Sequence, residues 1–209
     1  MAAVLLAGGG CATGRRPASG NGSTKHSLTS CGRLIGSTGA GRVSIVPVSR
    51  PHPQAGTGGE QIGPNPTDKG KPGSKQHLIV EGQGIPLAIL LGPANRHDSI
   101  HFEVLLDAVE PIRRPCGRPR KRPAKLHADK AYDILRCRQA LTRRHIKVRI
   151  ARKGVESSEK LGRYRWVVER TLAWLRRFRR LTIRYERRAD IHEGFLLLGC
   201  ALICLNYLS

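Results

Sequence analysis

Two carboxylates are set apart by their surroundings. Asp129 follows the short run Lys125, Leu126, His127, Ala128, which reads as a strand, and precedes a helical pattern. Ligands of open α/β sheets gather beyond the carboxyl ends of strands, so an acid at that junction is well placed for function. The same place also suits an aspartate that merely caps a turn or helix. Glu169 lies in a helical stretch that runs from about Gly162 to Leu181. At about 100° per residue, Arg165, Arg176 and Arg180 fall within about 40° of it, while Val167, Trp174, Phe178 and Leu181 cluster opposite. Leu172, about 60° away, interrupts the polar face, and Arg177 and Arg179 lie at its margins. Ion pairing along the helix would produce such a face. So would a phosphoryl-transfer site, where arginines contact phosphates while a carboxylate holds a divalent ion.

The elements that must position these residues are legible from about Gln76 onward. Gln76–Val80 and Ile85–Leu91 are apolar runs joined by Glu81, Gly82, Gln83 and Gly84, which predicts a β-hairpin. Asp98–Val109 has helical spacing, with Asp98 as the expected N-cap. Pro111–Pro123 (PIRRPCGRPRKRP) is too proline-rich for a helix or an inner strand and reads as an exposed basic loop. A strand at Lys125–Ala128 follows, then a helix over Tyr132–His145 with Ile134, Leu135, Cys137 and Leu141 inward. A strand at Lys147–Ala151, the Glu169 helix and an apolar helix over about Ile191–Tyr207 complete the order. The expected class is mixed α/β.

Residues 1–59 are rich in Gly, Ser, Thr, Ala and Pro and contain no Asp or Glu, which predicts a low-complexity, disordered segment ahead of a folded region at 60–209. The run Val43–Val48 is the exception, since it is apolar enough for a strand. The net charge of +22 points to a polyanionic partner. Of the 37 Lys and Arg residues, 27 fall between Arg113 and Arg188, the half that bears both carboxylates. Arg165 and the groups Arg118, Arg120, Lys121, Arg122 and Arg176, Arg177, Arg180 are the expected DNA contacts, with binding that weakens steeply as salt rises. Six cysteines without a C-x-x-C pair or zinc-finger spacing read as free thiols in a reducing cytoplasm. No stretch has the roughly 20 apolar residues a membrane crossing needs. A nucleoid-associated cytoplasmic protein is therefore expected.

The stretches GPNPTDKGKPGSKQHLIVEGQGIPLAILLGPANRHDS, LHADKAYD, IARKGVES and RYRWVVERTLAWLRRFRRLTIRYERRADIHEGF resemble the catalytic region of bacterial insertion-sequence transposases of the DDE class, from about Gly58 to the C-terminus. That resemblance implies an RNase H-like fold, a mixed sheet flanked by helices that presents Asp, Asp and Glu to two Mg²⁺ ions, with Val43–Val48 as its first strand. By position Asp129 is similar to the second Asp and Glu169 to the Glu, both as metal ligands and catalytic groups. Arg165 and Arg176 match basic positions of the family's Glu-helix signature, while Gly162 stands where a Tyr is expected. Two ions about 4 Å apart would activate a water or a 3′-hydroxyl for in-line attack on phosphorus. Implied partners are double-stranded DNA at transposon ends and a second copy of the chain in the DNA complex.

The resemblance places the first Asp near Ser49, at the end of a degenerate first strand, yet no acid precedes Glu60. Asp68 and Asp98 already match the family where they stand and are poor replacements. The expectation is therefore an incomplete Mg²⁺ site and a transposase whose strand-transfer activity is lost or severely reduced. The alternative is a basic, non-catalytic DNA-binding protein that uses the same surface. A truncated or frame-shifted copy would account for both the missing Asp and the Gly-rich N-terminus.

Overall fold

Strands form where β-branched and apolar residues alternate between two buried layers, and the centre of this chain shows that pattern most clearly. The computed structural model describes residues 42–51, 59–112, 119–152, 154 and 158–207, with only the backbone described at 42, 46–51 and 158–165. The predicted hairpin is present as β3 (Pro72–Glu81) and β4 (Pro86–Pro93), paired antiparallel from Ser74↔Pro93 to Val80↔Pro86. A two-residue strand, β2 (Gly63–Pro64), pairs with the start of β3.

The run around Val43–Val48 is a ten-residue strand, β1 (Arg42–Pro51), at the middle of the sheet. It pairs antiparallel with β3 and parallel with β5 (Lys125–Ala128). Parallel to β5 on its far side is β6 (Lys147–Ile150). The order is therefore β4-β3-β1-β5-β6, a mixed sheet of the RNase H-like kind that the resemblance implies. What is degenerate in β1 is its residue content, RVSIVPVSRP, not its place in the sheet. This strand belongs to the stretch grouped by composition with the N-terminal segment. The disorder expected of the rest of that segment falls on residues outside those described.

Helices cover both faces. On one face α1 (Phe102–Asp107) and α2 (Leu135–Arg143) bury Phe102, Leu105, Cys137 and Leu141 against Val43, Ile45 and Ile79. The other face packs Leu78, Val80, Ile89 and Leu91 under α3 (Ser158–Arg176), α4 (Arg179–Thr182) and α5 (Ala189–Leu205). Successive β3 residues thus feed opposite layers, as the two-residue period of a strand requires.

Several local expectations are corrected. Asp98 is not a helix cap: His97 caps a single 3-10 turn at Asp98–Ile100, and Asp98 instead pairs with Lys75 at 3.0 Å. Leu135 is exposed, and Ala140 takes its expected place among the inward residues of α2. The Glu169 helix stops at Arg176, and a turn at Arg177–Phe178 starts α4. Cys137 and Cys200 are buried and free, whereas Cys204 is disulfide-bonded, against the expectation of free thiols. Among the described residues no helix is long and apolar enough to cross a membrane.

Candidate active site

Asp129 follows β5 directly and caps a 3-10 turn at Lys130–Tyr132, its Oδ1 accepting from Lys130 N at 2.7 Å. The capping role and a ligand role are compatible, because one carboxylate offers about four acceptor positions. The turn is held from beneath. Tyr132 is fully buried and packs on Phe102 with ring centroids 5.3 Å apart. Burial, reinforced by the charges of Asp98 and Asp129, pushes its hydroxyl well above the ordinary tyrosine range. Asp133, the other acid of the ADKAYD stretch, is structural: it accepts from Arg138 at 2.8 Å, and Arg138 donates to the Ile150 carbonyl at the end of β6.

β1 and β5 run parallel, and their last register pair is Ile45↔Ala128. Asp129 therefore stands where β5 ends and β1 continues, with Val46 as the next position along β1. Ser49, the slot suggested by resemblance, lies three residues farther on and pairs with Lys75 of β3. Neither position, nor any other in β1, bears a carboxylate.

Glu169 is on the exposed side of α3, and α3 packs across β1 and β3. The buried face of that helix is Val167, Val168, Thr171, Leu172 and Leu175. Leu172, the exception on the helical wheel, belongs to the core, and Trp174 is only half-buried. Because the helix ends at Arg176, Arg180 is not on the Glu169 face by helical continuity. Its Nε lies 3.6 Å from Glu186 Oε1, and its guanidinium sits over the Phe195 ring at 5.5 Å. Arg176 and Arg177 are exposed at the end of α3. For Arg165 only the backbone is described, and Arg118 falls outside the described residues. Arg120 bridges Ile112, and its Nε donates to the Arg122 carbonyl at 2.7 Å; Lys121 and Arg122 are exposed.

Asp68 and Asp98 do not fill the missing position. Asp68 is in a turn, 3.8 Å from Lys71, and Asp98 is held by Lys75. Among the described residues no three His, Cys, Asp or Glu side chains converge as a metal site.

One residue beside Glu169 escaped the sequence reading. Arg170 lies between two tryptophans, its guanidinium carbon 4.7 Å from the Trp166 ring centroid and 4.8 Å from that of Trp174. It donates to the Gln83 carbonyl in the β3–β4 turn, which also accepts from Tyr207 Oη at 2.7 Å. Thr171 Oγ1 donates to the next carbonyl, Gly84 O, at 2.7 Å. Gly84 has φ +93°, and a Cβ there would come within 2.9 Å of Thr171 Oγ1, so only glycine fits the latch. The signal was present in WVVERTLAW: residues four before and four after an arginine share its helix face.

The transposase DDE domain family matches residues 45–206. A protein named as a transposase for insertion sequence element IS402 of Burkholderia cepacia is 52% identical over 151 residues, which cover 72% of this chain and 72% of that protein. A second, named for element IS6501 of Brucella ovis, is 28% identical over 139 residues, covering 64% of this chain and 98% of the relative. Among solved structures the catalytic core domain of BIV integrase overlays with a TM-score of 0.40 at 12% identity, covering 80% of this chain and 84% of that one. From the match over residues 45–206 and the identity to the Burkholderia protein, the chain belongs to the transposases with a DDE domain.

Proposed function

We propose that this protein is a transposase derivative that binds double-stranded DNA at transposon ends but has lost DNA cleavage and strand transfer. The observation that carries the proposal is the absence of any carboxylate in β1 beside Asp129. Mg²⁺ takes hard oxygen ligands and keeps several waters, and a two-ion centre needs carboxylates that bridge or flank both ions. Asp129 and Glu169 supply two such groups. Without a third, the donor set falls short of the pair of ions that would activate the attacking oxygen and stabilise the leaving one. Binding does not depend on that set, because the cations at Lys121, Arg122, Arg176 and Arg177 neutralise phosphates by charge alone.

The non-catalytic DNA-binding reading is thus the present behaviour of the same molecule, and pairing with a second copy on DNA belongs to the same proposal. The test is incubation of the full chain with Mg²⁺ and duplexes that carry the terminal repeats of its element. A shifted protein–DNA complex with no nicked product is expected. Turnover of the duplex would sink the proposal, and absence of any complex would remove its DNA-binding half.

A further inference from the structure

We infer that the end of the sheet opposite Asp129 is a second, separate contact surface for duplex DNA, built by Lys121, Arg122, Arg143, His145 and Lys147. The inference rests on the reading that the chain binds DNA, and it adds where a second stretch of duplex is held.

The topology brings these residues together. β5 and β6 are parallel and begin in register at Lys125↔Lys147, so the segments that lead into them enter the sheet at one end, while Asp129 leaves at the other. Between them α2 runs back and ends at Arg143, so Arg144 and His145 return to the entry end. Backbone and side-chain bonds tie the segments: Lys147 N donates to Ala124 O at 3.0 Å, and Arg122 Nη1 to Arg144 O at 3.4 Å. The cations are thereby held at fixed spacing.

The charge balance at this end is positive. Of the acids near this end, Glu103 and Asp107 are engaged by Arg136, Arg143 and Arg144, with Arg144 gripping Asp107 at 3.0 Å. Glu81 is buried with its Oε2 accepting from Gln83 N, and Glu110 is exposed, so the cations of the surface still outnumber the acids. No carboxylate among the described residues pairs with Lys121, Arg122 or Lys147. These three project from a loop and from the edge strand of the sheet, and all are exposed.

The geometry also separates this surface from the carboxylates. Four residues of strand at about 3.3 Å each set it about 13 Å from Asp129. At about 3.4 Å per base pair, that is about four base pairs along a duplex. These cations therefore meet phosphates away from the one that would lie at Asp129. The segments 119–125 and 142–149 contain no Phe, Trp or Tyr, the strongest stacking platforms for single strands, and offer His145 as their single aromatic ring. A duplex backbone is the polyanion that fits.

The test uses the full chain, fluorescence anisotropy and a duplex of about 30 base pairs of arbitrary sequence, read across a salt series. The triple variant Lys121→Gln, Arg122→Gln, Lys147→Gln is compared with Arg176→Gln, Arg177→Gln, with circular dichroism as the check of folding. The triple variant should bind about tenfold or more weakly, with the slope of log K against log salt reduced by about two to three. Lys147→Gln alone, an exposed edge position, should reduce it by about one. Wild-type slopes in both would overturn the second surface, and if the Arg176/Arg177 variant still lost binding, the DNA-binding reading would stand without it. A wild-type chain that fails to bind overturns both. The same variants are read on one strand of that duplex alone, and equal loss on this single-stranded probe overturns the assignment to duplex.

Discussion

Among individual residues, Arg170 and His77 make the sharpest demands on the fold. Arg170 stacks on Trp166 and Trp174 and holds the β3–β4 turn, so Arg170→Ala should cost about 1–3 kcal/mol in chemical denaturation. Lysine should recover little of that, because it has neither the planar face nor the forked donors. Intrinsic tryptophan fluorescence should shift in the same variant, since both indoles lose the cation between them. His77 is buried beside His101, ring centroids 4.7 Å apart, with Lys75 nearby. Burial first, then the charges of His101 and Lys75, lowers its pKa from 6.5 to about 3. His101 is lowered as well, chiefly by burial. A histidine whose folded pKa is depressed stabilises fully above its unfolded value and loses that contribution as pH falls. Stability should therefore decline by about 1.4 kcal/mol per pH unit below 6.5 from His77 alone. His77→Leu should flatten the melting temperature between pH 6.5 and 4.5; an unchanged pH profile in that variant would assign the decline elsewhere.

At the scale of elements, the β1–β5 register is decisive. Parallel pairing that ends at Ile45↔Ala128 makes Val46, not Ser49, the neighbour of Asp129. A carboxylate introduced by Val46→Asp should tighten Mn²⁺ binding about tenfold, as a new charge-assisted ligand would. Ser49→Asp should leave it unchanged, and the reverse order of the two variants would show that the strand is aligned otherwise. The hairpin, the strand Lys125–Ala128 and the final apolar helix were legible in the sequence because their periodicity is local. The break after Arg176 was not. Arg177–Phe178 carries no Gly or Pro, and the turn there arises from tertiary packing of Phe178 and Leu181 on α5, which a helical wheel cannot represent. Asp98 misled for a similar reason, since its partner Lys75 lies in β3, far away in sequence.

Across the whole molecule, basic residues occur at both the α3–α4 end and the β5–β6 entry end, while the two candidate ligands lie on β5's exit and on α3. The sequence located the charge in one half of the chain. It could not divide that charge between two surfaces, because the division depends on parallel pairing that returns α2 to the start of β6. The family itself was legible from dense motif similarity, and the missing acid from the slot that similarity implies together with the lack of any Asp or Glu before Glu60. The central claim is that DNA is bound and not cut because β1 offers no carboxylate to complete the site. The most direct measurement is Mg²⁺-dependent nicking of terminal-repeat duplex by the wild-type chain beside Asp129→Asn and Glu169→Gln. The account predicts the same background from all three, with DNA bound in each case. Wild-type nicking that either substitution abolishes would contradict it.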